Sequence, residues 1–143
     1  MKKDYINPNN INNLHDLFKA RVQRTPDKVA YQFYDGELGK WCPVSWSECN
    51  QKVNQIKKSL QMETLQAGDR VAILSSNSLT WILFEQACLA CGFIVVPLYA
   101  DDRAENICYI VNDAEVNLLL LEKESHWEIL QPHQNELKRL KRI

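Results

Sequence analysis

The sequence predicts an α/β fold: a largely parallel sheet flanked by helices, with an antiparallel hairpin near the N-terminus. Three observations lead there. Helix-period and strand-period stretches alternate along most of the chain. Val71 to Leu74 and "VNLLLL" (residues 116 to 121) are apolar on both faces. Such strands need cover on both faces, which β–α–β alternation supplies. The chain has 143 residues, the length of one domain, and folding should remove roughly two thirds of its unfolded surface from water.

Residues 1–13 carry five asparagines and no apolar stretch, and are expected to be a flexible lead-in to a single α/β subdomain over 14–143. In "NLHDLFKARVQRTP", Leu14, Leu17, Phe18 and Val22 fall on one helical face, Asn13 suits the cap, and Pro26 lies just past the end. Val29, Tyr31 and Phe33 then alternate, Asp35-Gly36 marks a turn, and a second arm runs from Trp41 to Val44, which makes a hairpin. Ser45 and Glu48 have capping-box spacing, and Val44 can staple onto Cys49. From there Trp46, Cys49, Val53, Ile56 and Leu60 recur as one apolar stripe, opposite Lys52, Lys57 and Lys58.

"GDRVAILSS" turns into a buried strand, and "NSLTWILFEQACLACG" is a helix apolar nearly all round, interrupted by Glu85 and Gln86. "FIVVPLY" is a strand in which Pro97 favours an edge or a bulge. "DDRAENICYIVNDAE" is a helix with Asp102 and Glu105 at its positive end. After the strand at 116–121, Ser125 and Glu128 repeat the capping-box spacing, and Pro132 should end or kink the segment they open. The closing "LKRLKRI" reads as an element cut short, with "KRLKR" taken as a solvated helix end.

The formal charge of −1 gives no general attraction to nucleic acid or acidic lipid. The longest uncharged run, residues 86–100, is shorter than the ~20 residues a spanning helix needs. No secretory signal is visible. Five cysteines without disulfide-like spacing point to a reducing compartment, with the cytosol as default. The four glycines, Gly36, Gly39, Gly68 and Gly92, match no phosphate-loop spacing, so the chain carries no recognisable phosphate cradle.

Two motifs invite chemistry. Cys88 and Cys91 form a Cys-x-x-Cys, but they end a helical run ahead of Gly92, which sits where a C-terminal cap belongs. The dipole there is negative and burial disfavours the thiolate, so the pair reads as small apolar packing at a helix–strand turn. A zinc site would need two further ligands, and no second Cys-x-x-Cys is present. "SSNS", Ser75 to Ser78, lies where open α/β sheets bind ligands, yet Asn77 or Ser78 as a helix cap accounts for it. Asp101 and Asp102 in "ADDR" read likewise as capping residues. Trp41, Trp46, Trp81 and Trp127 are scattered over separate elements and form no stacking ladder. No catalytic, cofactor-binding or metal-ligating residue can be assigned.

The order "WCPVSWSE", "GDRVAILSSNSLTWILFEQACLACGFIVVPLY", "YIVNDAEVNLLLLE" resembles the front of the adenylate-forming (AMP-binding) enzymes, and long-chain fatty acyl-CoA synthetases most closely. Matching positions are Trp41, Ser45, Trp46 and Glu48 in the first stretch. In the second they are Gly68 to Ile73, Asn77, Trp81, Ala87, Gly92 and Val96 to Leu98. In the third they are Tyr109, Ile110, Asn112 and Asp113. The resemblance covers about residues 14–122. It implies a parent enzyme that joins a fatty acid to AMP, using ATP and Mg²⁺, and then passes the acyl group to coenzyme A. The family's phosphate loop, T-S-G-T-T-G-x-P-K-G, lies downstream of the matched region, as do its ribose-binding Asp, magnesium-binding Glu and catalytic Lys. None of these maps onto a residue here.

The expectation is therefore an N-terminal subdomain of such a synthetase, inactive alone, with no cofactor of its own and the remainder of the enzyme as partner. A fragment of this kind should expose apolar surface and self-associate. The alternative is a stand-alone interaction or acyl-binding module of the same descent.

Overall fold

The computed structural model describes residues 5–143; the first four residues of the expected lead-in lie outside the described residues. A short 3-10 turn at Pro8–Asn10, capped by Asn7, precedes α1 (Leu14–Arg24). Asn13 caps α1 by accepting from the Asp16 N–H at 2.8 Å. The predicted apolar face of α1 is only partly buried. Phe18 is buried with Val22 packed behind it, whereas Leu14 and Leu17 are exposed. Helical period places four residues on one side, but only Phe18 and Val22 meet the core.

β1 (Val29–Asp35) and β2 (Lys40–Ser45) pair antiparallel, with Tyr34 opposite Trp41. α2 (Trp46–Leu60) follows directly, and its capping box is complete. Glu48 accepts from the Ser45 N–H at 2.8 Å, and Ser45 Oγ accepts from the Glu48 N–H at 3.2 Å. Val44, Cys49, Val53 and Leu60 are all buried in one cluster, as the stripe requires.

The remaining strands, β3 (Arg70–Leu74), β4 (Ile94–Leu98) and β5 (Val116–Leu121), form a parallel sheet in the order β4-β3-β5. Pro97 lies on the edge strand β4, opposite Ile73, where its missing N–H costs no ladder bond on the outer side. Side chains of β3 alternate between two cores. Val71 and Ile73 join α1, α2, α3 (Leu79–Ala90) and the hairpin. Ala72 and Leu74 join α4 (Ala104–Asp113) and α5 (Glu124–Leu130). The β3–β5 register shifts beside Asn117, whose side chain takes the Arg70 N–H at 3.1 Å. This irregularity puts Val116 and Leu119, three residues apart, in the same core.

Two helix starts depart from the sequence reading. α5 begins at Glu124 with Lys123 in the cap position, so Ser125 is itself helical and no second capping box forms. Burial of His126 and Leu130 against the α4 side sets that phase. In α4 the cap position falls to Arg103, without a side-chain cap bond. Asp102, one residue earlier, instead accepts from the Arg103 N–H at 2.8 Å and from Asn106 Nδ2 at 2.9 Å. α5 does stop ahead of Pro132, in a 3-10 turn over Gln131–Glu136.

The basic tail is not a helix end. Lys141 donates its N–H to the Asn117 carbonyl at 2.8 Å, and the Leu119 N–H reaches the Arg142 carbonyl at 3.1 Å, giving a parallel bridge beside β5. Three of its four charges are partnered: Arg139 with Glu115 at 2.9 Å, Lys141 with Asp69 and Arg142 with Glu63, both at 3.6 Å. An apolar groove of about 220 Å³ runs along this edge, lined by Ile56, Leu60, Phe84, Leu118, Leu120 and Ile143 among others. No helix among the described residues is long and apolar enough to cross a membrane.

Candidate functional site at the carboxyl edge of the sheet

β3 and β5 are neighbours, but the chain leaves them toward opposite faces. From β3 it enters α3, on the side of α2 and the hairpin; from β5 it enters α5, on the side of α4. A divergence of this kind is where open α/β sheets form a ligand-binding crevice beyond the strand ends. Here that position lies between the Ser75–Ser78 loop after β3 and Glu122 after β5.

Glu122 closes the crevice. Its Oε2 accepts the Ser76 N–H at 2.9 Å and the Ser76 hydroxyl at 3.0 Å. Its own N–H donates to the Leu74 carbonyl at 3.1 Å, which fixes the reach of the side chain. Ser75 Oγ donates to the Ser76 carbonyl at 3.1 Å. At the far end of the loop Ser78, rather than Asn77, caps α3 by accepting from the Trp81 N–H at 3.1 Å. The two hydrogen bonds from Ser76 hold the Glu122 carboxyl below the usual carboxylate range, with smaller contributions from Lys123 and His126. His126 is buried behind this corner, and its Nδ1 has no hydrogen-bond partner. The pairing of Ser76 with Glu122 could not be read from the sequence, because 46 residues separate them and neither belongs to a local motif.

Ser76 donates its hydroxyl proton to a carboxylate, and among the described residues no imidazole is hydrogen-bonded to it, so the base-and-orienter arrangement of an activated nucleophile is not assembled by these groups. Among the described residues, no group of three or more His, Cys, Asp or Glu side chains could hold a metal ion.

The Cys-x-x-Cys is the structural turn its position predicts. Cys91 caps α3, Gly92 adopts φ +76°, and the Phe93 N–H returns to the Cys88 carbonyl at 3.0 Å while the Gly92 N–H reaches Leu89 at 3.1 Å. This is a Schellman closure. The positive φ of Gly92 favours glycine, and a Cβ at this position would also press on the Ala67 Cβ at 3.2 Å. Burial pushes the Cys88 thiol up to about 12 and raises Cys91 as well, which disfavours the thiolate that redox chemistry needs. Of the tryptophans, Trp46 packs on Phe18 and Tyr31, and Trp81 and Trp127 are partly buried in the two cores. Trp41 is exposed and pairs with Tyr34.

Comparison with known proteins agrees with this architecture. The family model described as AMP-binding enzyme matches residues 18–143. Long chain acyl-CoA synthetase 3 of Arabidopsis thaliana is 30% identical over 139 residues, which cover 95% of this chain and 21% of that protein. Gramicidin S synthase 2 of Brevibacillus brevis is 30% identical over 110 residues, 77% of this chain and 2% of that protein. Among solved structures, a fatty acyl CoA synthetase of Mycobacterium tuberculosis superposes with a TM-score of 0.79 at 17% identity, covering 91% of this chain and 26% of that one; this likeness concerns the fold. The chain thus spans about a fifth of the length of the plant synthetase it matches.

Proposed function

Because the chain belongs to the AMP-binding enzyme family, we propose that it is the N-terminal part of an ATP-dependent long-chain fatty acyl-CoA synthetase. The parent reaction joins the fatty-acid carboxylate to the α-phosphorus of ATP with loss of pyrophosphate. The acyl carbon is then passed to the thiol of coenzyme A, releasing AMP. Mg²⁺ accompanies the nucleotide. Residues 14–143 form one subdomain that buttresses nucleotide- and acyl-binding parts supplied by the remainder of the enzyme, and the catalytic residues belong to that remainder.

One observation carries this reading: the match to the plant synthetase runs through 95% of the chain yet only 21% of that protein. The groove beside β5 supports it further. Its lining is mostly apolar, and Arg142 makes a single parallel bridge to Leu118 beside it, which suits this surface to packing against more of the enzyme. Left uncovered, it should make the isolated chain associate as concentration rises. A cytoplasmic location is in keeping with five free cysteines.

Adenylate formation depends on orienting ATP against a carboxylate and stabilising the charge that develops. The purified 143-residue chain, given palmitate, ATP, Mg²⁺ and CoA, should therefore form no palmitoyl-CoA above a protein-free control. Turnover by the chain alone would overturn the proposal. The same groove favours a second reading, a non-catalytic module that holds an acyl chain. That reading predicts saturable palmitate binding to the monomer and no concentration-dependent association.

A further inference from the structure

Glu122 is the only side chain from outside the Ser75–Ser78 loop that Ser76 is bonded to among the described hydrogen bonds. We infer that Glu122 is a positioning residue: its carboxylate oxygen holds this loop across the β3–β5 crevice, and removing that acceptor releases it. For its meaning in catalysis the assignment rests on the proposed function, since ligands of open α/β sheets meet this edge. The hold itself belongs to these 143 residues and is testable on them.

The geometry isolates the effect. One oxygen of Glu122 takes both the Ser76 N–H and its hydroxyl, at 2.9 and 3.0 Å. Anchoring of the Glu122 N–H on Leu74 leaves the carboxylate little freedom to follow the loop if it moves. The other end of the loop is pinned separately, by Ser78 on the start of α3. Release at Glu122 should therefore free residues 75–77 and leave α3 in place. The charged groups that act on this carboxylate are Lys123 beside it and His126 on α5; both favour the ionised, holding form. Protonation turns the acceptor oxygen into a weaker one and ends the charge assistance of both hydrogen bonds from Ser76.

The test is amide NMR on the ¹⁵N-labelled chain. In Glu122→Ala, hydrogen-exchange protection of Ser76 at pH 6 should fall about tenfold, with the amides of Val71 and Ile73 unchanged. Glu122→Gln keeps an acceptor oxygen and should restore most of the protection. It should also abolish the acid-induced shift of the Ser76 amide, which in the parent chain titrates below the usual glutamate range. Equal protection in Glu122→Ala and the parent would overturn the inference. So would a loss spread evenly over the β3 amides, or a Ser76 shift that still titrates in Glu122→Gln. Should Glu122→Ala fail to fold, the titration in Glu122→Gln decides alone. None of these readouts involves ligase activity, so failure here leaves the proposed function standing, and the reverse holds too.

Discussion

Ser45 and Ser76 each hold a glutamate in nearly the same way, and they differ in where the glutamate comes from. At the start of α2, Glu48 accepts from the Ser45 N–H at 2.8 Å and from its hydroxyl at 2.7 Å. At the crevice, Glu122 accepts from the Ser76 N–H at 2.9 Å and from its hydroxyl at 3.0 Å. Hydrogen bonds from the serine are the leading cause that depresses both carboxyls. One pair spans three residues and is assembled by a single helical turn. The other spans 46 and exists only because β3 and β5 lie side by side. The same chemistry is thus a local signal in one region and a product of tertiary structure in the other.

The largest effect that separates the two is removal of the sheet contact. Leu119 is buried in β5 opposite Ala72. Leu119→Ala should cost about 2–5 kcal/mol in chemical unfolding and should loosen the Ser76 amide before that of Glu48. Ser45→Ala comes next, at about 1 kcal/mol of stability, with no effect at Ser76. Acid acts on both pairs in the same direction. A carboxyl depressed in the folded state contributes stability that is present above its unfolded pKa and lost as pH falls through the folded value. Urea midpoints should therefore drop below the ordinary glutamate range, and less so in Glu122→Gln. Smallest is Ser125→Ala, expected within about 0.5 kcal/mol of the parent, because its S-x-x-E spacing makes no box. A cost equal to that of Ser45→Ala would mean the helix start at Glu124 is wrong.

That contrast shows what the sequence could convey. Elements whose signals are local were legible: the Ser45 box, the Ser78 cap, the closure at Gly92, and Pro97 on an edge strand. Periodicity also assigns β3 and β5 to a sheet covered on both faces. It does not say which turn of α1 reaches the core, so it puts Leu14 and Leu17 on a buried face although they lie exposed. Nor can spacing alone choose between Ser125 and Lys123 as the cap of α5, since packing of His126 and Leu130 sets that phase. The basic tail reads as helical by composition, but its backbone bonds to Asn117 and Leu119. At the candidate site the serine loop is visible as a strand-to-helix junction, whereas Glu122 carries no signal until β5 is set beside β3.

The central claim is that these residues are the front of a larger adenylate-forming synthetase. The most direct test is to read the transcript beyond the codon for Ile143. The account predicts an open frame that reaches a Ser/Thr/Gly-rich loop ending in Pro-Lys-Gly. A stop codon directly after Ile143 would contradict it.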